Sequence, residues 1–436
     1  MPWELVVWLL SVALCLALIF QPRWQTRLDA VPWRWYLIGY PITAIRMTLT
    51  WRRLCQNAEL AVSRRPNHVL LGGDLLVKGS ALRPVAPKLG PIRPTRTGLT
   101  ASIRLHPGQT PLHMLAAAEA FTHAWRVHSV RVTSPVRGRV LVIATARDPL
   151  GKPLGGTPAH RPRLLTALVG RTGDGADWVI NFRRVPHWLV VGATRSGKSN
   201  WLATLVRELA PQHVALVGID CKGGLELSLF GKRLSALATN RSDAARLLSA
   251  LLHEAAERMR QCRADGARSI WDLDDAVRPV PIVVLVDEVA ELYLIDGTRD
   301  AKQEAAECSA ALLRLGQLGA ALGIHLVISA QRFGSELGSG ATALRAQLGG
   351  RICHCVHDKT SAEMALGDLS PDAVAAAQMI TEGERGVAVT AVGGRWVRAR
   401  SVITTPREAR ECAREHAHRT PPLPLMGPSL TNGGAG

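Results

Sequence analysis

Residues 192–199 read Gly192-Ala193-Thr194-Arg195-Ser196-Gly197-Lys198-Ser199, the G-x-x-x-x-G-K-[ST] spacing of a phosphate-binding loop. The flanking residues decide how it is read. Trp188, Leu189, Val190 and Val191 form an apolar strand ahead of the loop. Behind it, Trp201, Leu202, Leu205, Val206 and Leu209 recur at helical spacing on one stripe. Strand, glycine loop and helix in this order make a plain glycine turn the weaker reading. The backbone N–H groups of residues 192–199 are expected to wrap the phosphates of ATP, with the helix N-terminus adding partial positive charge. Lys198 is expected at the β- and γ-phosphates and Ser199 on Mg²⁺.

Outward from the loop, apolar strand runs alternate with long helical stretches, the pattern of an α/β fold with a parallel sheet covered by helices. The spacing predicts strands over 188–192, 214–219, 282–286, 324–329 and 351–356, and helices over 198–210, 242–264 and 300–322. The run Ile282-Val283-Val284-Leu285-Val286 is apolar throughout and ends in Asp287-Glu288, as a central parallel strand would at the carboxyl edge of the sheet. Asp287 is expected in the Mg²⁺ shell and Glu288 as the group that polarises the attacking water. Strand 324–329 leads to Gln331, a candidate for sensing the γ-phosphate; a surface glutamine is the alternative. Asp220, Lys222 and Glu226 follow the second strand, near the nucleotide, at a subunit boundary, or in a plain turn.

The chain of 436 residues has 53 Lys+Arg against 35 Asp+Glu, a formal net charge of +18. Such a balance suits a polyanionic partner, nucleic acid or an anionic membrane. The eight Cys are scattered, which excludes the regular framework of a small secreted disulfide scaffold. Residues 5–20 carry no charge; Glu4 precedes them and Arg23 and Arg27 follow. This is the short end of a membrane span, with the charge bias that keeps the following chain in the cytoplasm. Residues 36–45, flanked by Trp33, Trp35 and Trp51, are expected to form an interfacial segment or a second span.

These patterns divide the chain into a membrane anchor and juxtamembrane segment (1–65), a small α+β module (66–150), a Pro/Gly-rich linker (151–177), an α/β phosphate-loop domain (178–405) and a largely disordered tail (406–436). Within the module, a strand over 99–105, a helix over 111–125 and strands over 130–133 and 139–146 are expected. A chain starting near Arg64 should stay soluble and keep its ATPase activity. Cys353-His354-Cys355-Val356-His357 is read as strand packing, since its short spacing leaves little room for a tetrahedral zinc clamp.

The ordered set Gly192 to Ser199, Ile219-Asp220-Cys221-Lys222-Gly223-Gly224-Leu225-Glu226-Leu227, Val284-Leu285-Val286-Asp287-Glu288-Val289-Ala290-Glu291-Leu292 and Gly323-Ile324-His325-Leu326-Val327-Ile328-Ser329-Ala330-Gln331-Arg332 resembles the FtsK/SpoIIIE family of DNA translocases. The resemblance covers residues 178 to about 405; the compact length and apolar start are similar to the plasmid-transfer members of actinobacterial conjugative elements. It implies a RecA-like P-loop motor that hydrolyses ATP and assembles as a ring, a hexamer, around double-stranded DNA at the cell membrane, with the motor cytoplasmic. Chromosome segregation at division and a membrane-tethered coupling adaptor that does not pump DNA are the alternatives. Relatives often carry an arginine just before the Gly-Ile-His strand. Here that stretch is Gly319-Ala320-Ala321-Leu322-Gly323, which leaves Arg332, Arg345 and Arg351 as candidates for a trans-acting arginine.

Overall fold

The computed structural model describes residues 32–64, 83–95, 97–152, 154–155, 163–295, 297–367, 369–392 and 395–423. The chain divides into two compact units, Met1–Pro149 and Leu150–Gly436. The apolar run 5–20, Arg23, Trp24, Arg27 and the last residues of the tail lie outside the described residues.

The first unit is a two-layer module. Helix α1 (Tyr40–Asn57) is followed by a short pairing of β1 (Val62–Arg64) with β2 (Arg83–Val85). Then come β3 (Lys88–Pro94), β4 (Gly98–Arg104), helices α2 (Pro111–Ala116) and α3 (Ala118–Trp125), β5 (Ser129–Val136) and β6 (Arg139–Thr145). The antiparallel sheet runs β3-β4-β6-β5. The expected helix over 111–125 is broken at Ala117, whose ψ of 1 leaves the helical region. Alternation puts Leu99, Ala101 and Ile103 of β4 and Val140, Val142 and Ala144 of β6 on one face. There they meet Phe121 and Trp125 of α3 and Met47, Trp51 and Cys55 of α1, which recur every four residues on a single stripe.

That stripe corrects the expected juxtamembrane segment. Residues 40–57 belong to the core of the module. The Trp51 indole N–H donates to the Pro87 carbonyl at 2.8 Å, and the Trp35 indole reaches the Thr95 carbonyl at 2.9 Å. Neither indole is a headgroup anchor. Among the described residues no helix is long and apolar enough to cross a membrane, so the second-span reading of 36–45 is withdrawn. One side of that segment stays bare: Tyr36, Leu37, Ile42, Ile45 and Leu49 are exposed.

The second unit is built on an eleven-stranded sheet with β7 (Leu154–Gly155), β8 (Thr166–Thr172), β9 (Asp177–Asn181), β10 (Trp188–Val191), β11 (Ala215–Ile219), β12 (Ala236–Ala238), β13 (Ile282–Val286), β14 (Ile324–Ala330), β15 (Gly350–His354), β16 (Val387–Val392) and β17 (Arg395–Ile403). The order β12-β11-β13-β14-β10-β15 is parallel. β16, β17, β8 and β9 continue it antiparallel, with β7 pairing parallel to β17. The parallel half follows the expected pattern. The antiparallel half corrects it, because the presumed linker supplies β8 to this sheet. Buried Ala167, Val169, Trp178 and Ile180 explain why that stretch pairs despite its prolines and glycines.

Helices cover both faces. α4 (Lys198–Leu209) packs Trp201, Leu202, Leu205, Val206 and Leu209 on one side. α5 (Arg241–Ala264) and α6 (Arg299–Leu322) pack on the other through Leu247, Leu248, Leu251, Leu312 and Leu315. Pro406–Glu415 is a helix opened by a capping box on Thr405 and Glu408, and Leu423 is buried. Residues 406–423 are therefore ordered, where a disordered tail was expected.

Candidate nucleotide-binding site

The loop lies where five buried strands end. β10 sits between β14 and β15, so its last residue delivers the chain to the middle of the carboxyl edge. Gly192 N–H donates to the Ala330 carbonyl at 3.2 Å and Ala193 N–H to the Cys355 carbonyl at 2.8 Å, hanging the loop from both neighbours. Arg195 and Gly197 hold φ of 64 and 116, left-handed values that turn successive N–H groups inward. A Cβ on Gly197 would stand 2.6 Å from the Gly386 nitrogen, and one on Gly192 2.7 Å from the His354 Cβ. Only glycine fits at either place.

Lys198 opens α4 and its ammonium donates to the Gly192 and Ala193 carbonyls of the loop. Burial lowers its pKa; Glu288 and Asp287 oppose that shift and Lys222 adds to it. Asp287 and Glu288 follow β13, both buried. Burial raises the Asp287 pKa to about 6, helped by the charges of Asp220 and Glu226. One Glu288 carboxylate oxygen lies 3.5 Å from Lys222 Nζ, and the other accepts from Gln331 N–H at 3.4 Å. Asp220 organises its own loop, accepting from Glu226 N–H at 2.9 Å and Leu227 N–H at 3.1 Å.

A single cavity of about 700 Å³ is lined by Lys198, Ser199, Asp220, Glu226, Asp287, Glu288 and Gln331, with Ala193, Thr194, Arg195 and Gly197 from the loop. The structure thus brings together the phosphate loop, the strand-end carboxylates and Gln331. It also adds residues the sequence reading missed. Arg385, Gly386, Arg400 and Ser401 line the same cavity. Gly386 N–H donates to the Ser196 carbonyl at 2.9 Å, and the Arg400 guanidinium holds the Arg385 carbonyl at 3.0 Å. Asn200 on α4 donates to the Val402 carbonyl at 2.7 Å. The antiparallel β17 therefore clamps the start of α4. The glycines at 383 and 386 were the available signal.

The residue types fit a nucleoside triphosphate with a divalent cation. Inward-facing N–H groups, a glycine-only cradle and a half-buried ammonium suit phosphate. The Ser196 hydroxyl is buried with no partner in the protein. Crowding of Asp220, Glu226, Asp287 and Glu288 is the kind of repulsion a cation relieves. Ser199 and Asp287, which line the cavity, would be the protein's share of a magnesium shell completed by phosphates and water.

Of the trans-acting candidates, Arg351 is buried on β15 and donates to the Arg345 carbonyl at 2.9 Å, so it cannot reach a neighbouring subunit. Arg345 donates to the Phe333 carbonyl at 3.3 Å. Arg332 is exposed, 3.8 Å from Asp358. Cys353 and His354 are fully buried at the end of β15 and Cys355, just beyond it, nearly so; the two thiols donate to the His354 and Ile380 carbonyls.

Residues 23–146 match the actinomycete conjugal transfer protein N-terminal domain, and residues 154–281 and 274–335 match the FtsK/SpoIIIE family. The transfer protein TraSA of Streptomyces ambofaciens is 46% identical over 354 residues, covering 78% of this chain and 84% of that protein. The DNA translocase FtsK of Lactococcus lactis subsp. cremoris is 26% identical over 289 residues, covering 61% of this chain and 37% of that protein. Among solved structures, the pCW3 conjugation coupling protein TcpA, a monomer form with ATPγS, aligns with a TM-score of 0.54 at 19% identity, over 76% of this chain and 93% of that one. At that identity the likeness speaks for the fold alone.

Proposed function

From the premise that this chain belongs to the FtsK/SpoIIIE family, with a conjugal-transfer N-terminal domain, we propose that it is an ATP-driven double-stranded DNA translocase serving conjugative transfer. The observation that carries this reading is the convergence of Lys198, Ser199, Asp287 and Glu288 on one cavity. A passive nucleotide switch has no need of a water-activating carboxylate beside the loop.

In this mechanism the loop N–H groups and Lys198 hold the phosphates and stabilise charge that develops on the leaving oxygen. Ser199 and Asp287 would hold Mg²⁺, which when bound would neutralise phosphate charge. Glu288 accepts the proton of the attacking water, and its buried place keeps that water the only nucleophile at hand. Gln331, hydrogen-bonded through its backbone to Glu288, links that carboxylate to the end of β14. Arg332 is the candidate best exposed to act on a neighbouring subunit of a hexameric ring.

Attachment to the cell membrane, with the motor cytoplasmic, completes the proposal. The uncharged run 5–20 with Arg23 and Arg27 beyond it supports this, as does the exposed apolar ridge Leu37, Ile42, Ile45 and Leu49 on the segment that follows. The test is ATP hydrolysis by the purified full-length chain with and without duplex DNA, combined with displacement of a triplex-forming strand. Duplex-stimulated hydrolysis with displacement is expected. Hydrolysis without displacement would leave the coupling adaptor standing.

A further inference from the structure

The net charge of this protein is not spread evenly. Residues 1–149 hold 19 Lys+Arg against 6 Asp+Glu, whereas residues 150–436 hold 34 against 29. Most of the excess therefore belongs to the smaller unit, not to the one that holds the nucleotide cavity. Register shows where part of it goes. On β4 the core takes Leu99, Ala101 and Ile103, so Thr100, Ser102 and Arg104 face the other way. Lys88, Arg104 and Arg139 then stand side by side across β3, β4 and β6. Four residues along, Arg93 and Arg131 occupy the outer strands of the row that includes Thr100 and Ile143. All five cations are exposed. Among the residues that register places on this face, none is acidic and none is aromatic.

We propose that the solvent face of the β3-β4-β6-β5 sheet is a second DNA-binding surface, one that grips the phosphate backbone of duplex DNA without reading its bases. Strand spacing puts Arg93 and Arg131 about 14 Å apart, and rise per residue puts the two cation rows about 14 Å apart. A frame of that size straddles a groove about 12 Å wide and meets phosphates on both of its sides. Single strands are a poorer fit, because their binding surfaces offer aromatic rings for bases to stack on. An anionic bilayer is also a poorer fit. Leu141 and Ile143 are half-buried, and Val136, opposite Arg139, is a lone exposed apolar side chain among the cations, too little to insert into lipid. The exposed apolar ridge of the module lies on its helical layer, opposite this face.

The proposal depends on the proposed function only for naming DNA as the polyanion, since it needs no hydrolysis. The full-length chain in non-ionic detergent, without nucleotide, is titrated into labelled mixed-sequence duplexes between about 50 and 300 mM salt, with anisotropy as readout. Lys88→Gln, Arg104→Gln and Arg139→Gln combined should weaken binding at least about tenfold at 100 mM salt and reduce the salt slope by about 2 to 3. The loss should be equal for unrelated sequences. Arg104→Lys with Arg139→Lys should bind as the parent does. DNA-free ATP hydrolysis should be unchanged in every variant. Should the triple variant misfold, Arg93→Gln and Arg131→Gln singly should each lower the slope by about 0.9. Unchanged affinity and slope would overturn the proposal. So would variants that keep duplex binding but lose retention on phosphatidylglycerol vesicles. Absence of ATP hydrolysis in the parent chain would count against the motor and leave this surface to be judged by anisotropy alone.

Discussion

Lys198 and Glu288 occupy one cavity but are expected to fail differently when replaced. Lys198→Ala removes a desolvated ammonium that the loop backbone cannot replace. Hydrolysis should fall at least about a hundredfold, with the melting temperature little changed, since the loss is of charge on the reacting phosphates. Glu288→Gln keeps shape and leaves Ser199 and Asp287 in place. Labelled ATP should still bind, while turnover falls about a hundredfold or more. Normal turnover in Glu288→Gln would show that another group activates the water. The identities of both residues were legible in the sequence, because the spacing of the loop and the apolar run before Asp287 each carry a local physical reason. Lys222 was legible only as a neighbour; its 3.5 Å approach to Glu288 depends on how two separate loops fold back.

At the scale of elements, the phosphate loop is held from above as well as from below. Gly197 and Gly386 are in backbone contact, and Gly197 has a left-handed φ. Gly197→Ala should therefore destabilise the second unit by about 2 kcal/mol and weaken nucleotide binding, in contrast to Lys198→Ala. Equal melting temperatures for parent and Gly197→Ala would contradict the observed packing. The buried histidines of β14, β15 and the turn before β10 act at the same scale. Burial lowers His325 to about 3 and His187 and His354 to about 4. Each is neutral when folded and titrates at its ordinary value when unfolded. Above that value they add nothing; as pH falls below about 6.5, the unfolded chain gains protons first and stability is lost. A loss of about 4 kcal/mol between pH 7 and 5.5 is expected in urea melts. A flat profile over that range would mean the imidazoles are solvated.

For the whole molecule, the position of α1 changes how the chain can be shortened. A chain starting at Arg64 was expected to be soluble. It would remove Met47, Trp51 and Cys55 and bare Phe121 and Trp125, losing several kcal/mol of burial. Such a chain should aggregate or lose the first unit's cooperative unfolding, whereas one starting at residue 32 should retain both. Urea unfolding followed by tryptophan fluorescence separates the two outcomes. If the shorter chain melts like the longer one, α1 contributes nothing to the core.

What the sequence determined alone was local. The phosphate loop, the apolar strands and the long amphipathic helices each announce themselves through spacing within a few residues, and in the second unit the expected bounds fell within one or two positions of the observed elements. What tertiary structure decided was long-range pairing. β8 and β17 meet across more than two hundred residues, so no local period reveals that the stretch read as a linker extends the motor sheet. The same holds for Arg400 and Gly386 above the loop, and for Trp51, whose apolar neighbours suit a bilayer and a protein core equally. Hydrophobicity states that a side chain must leave water; only the fold decides what covers it.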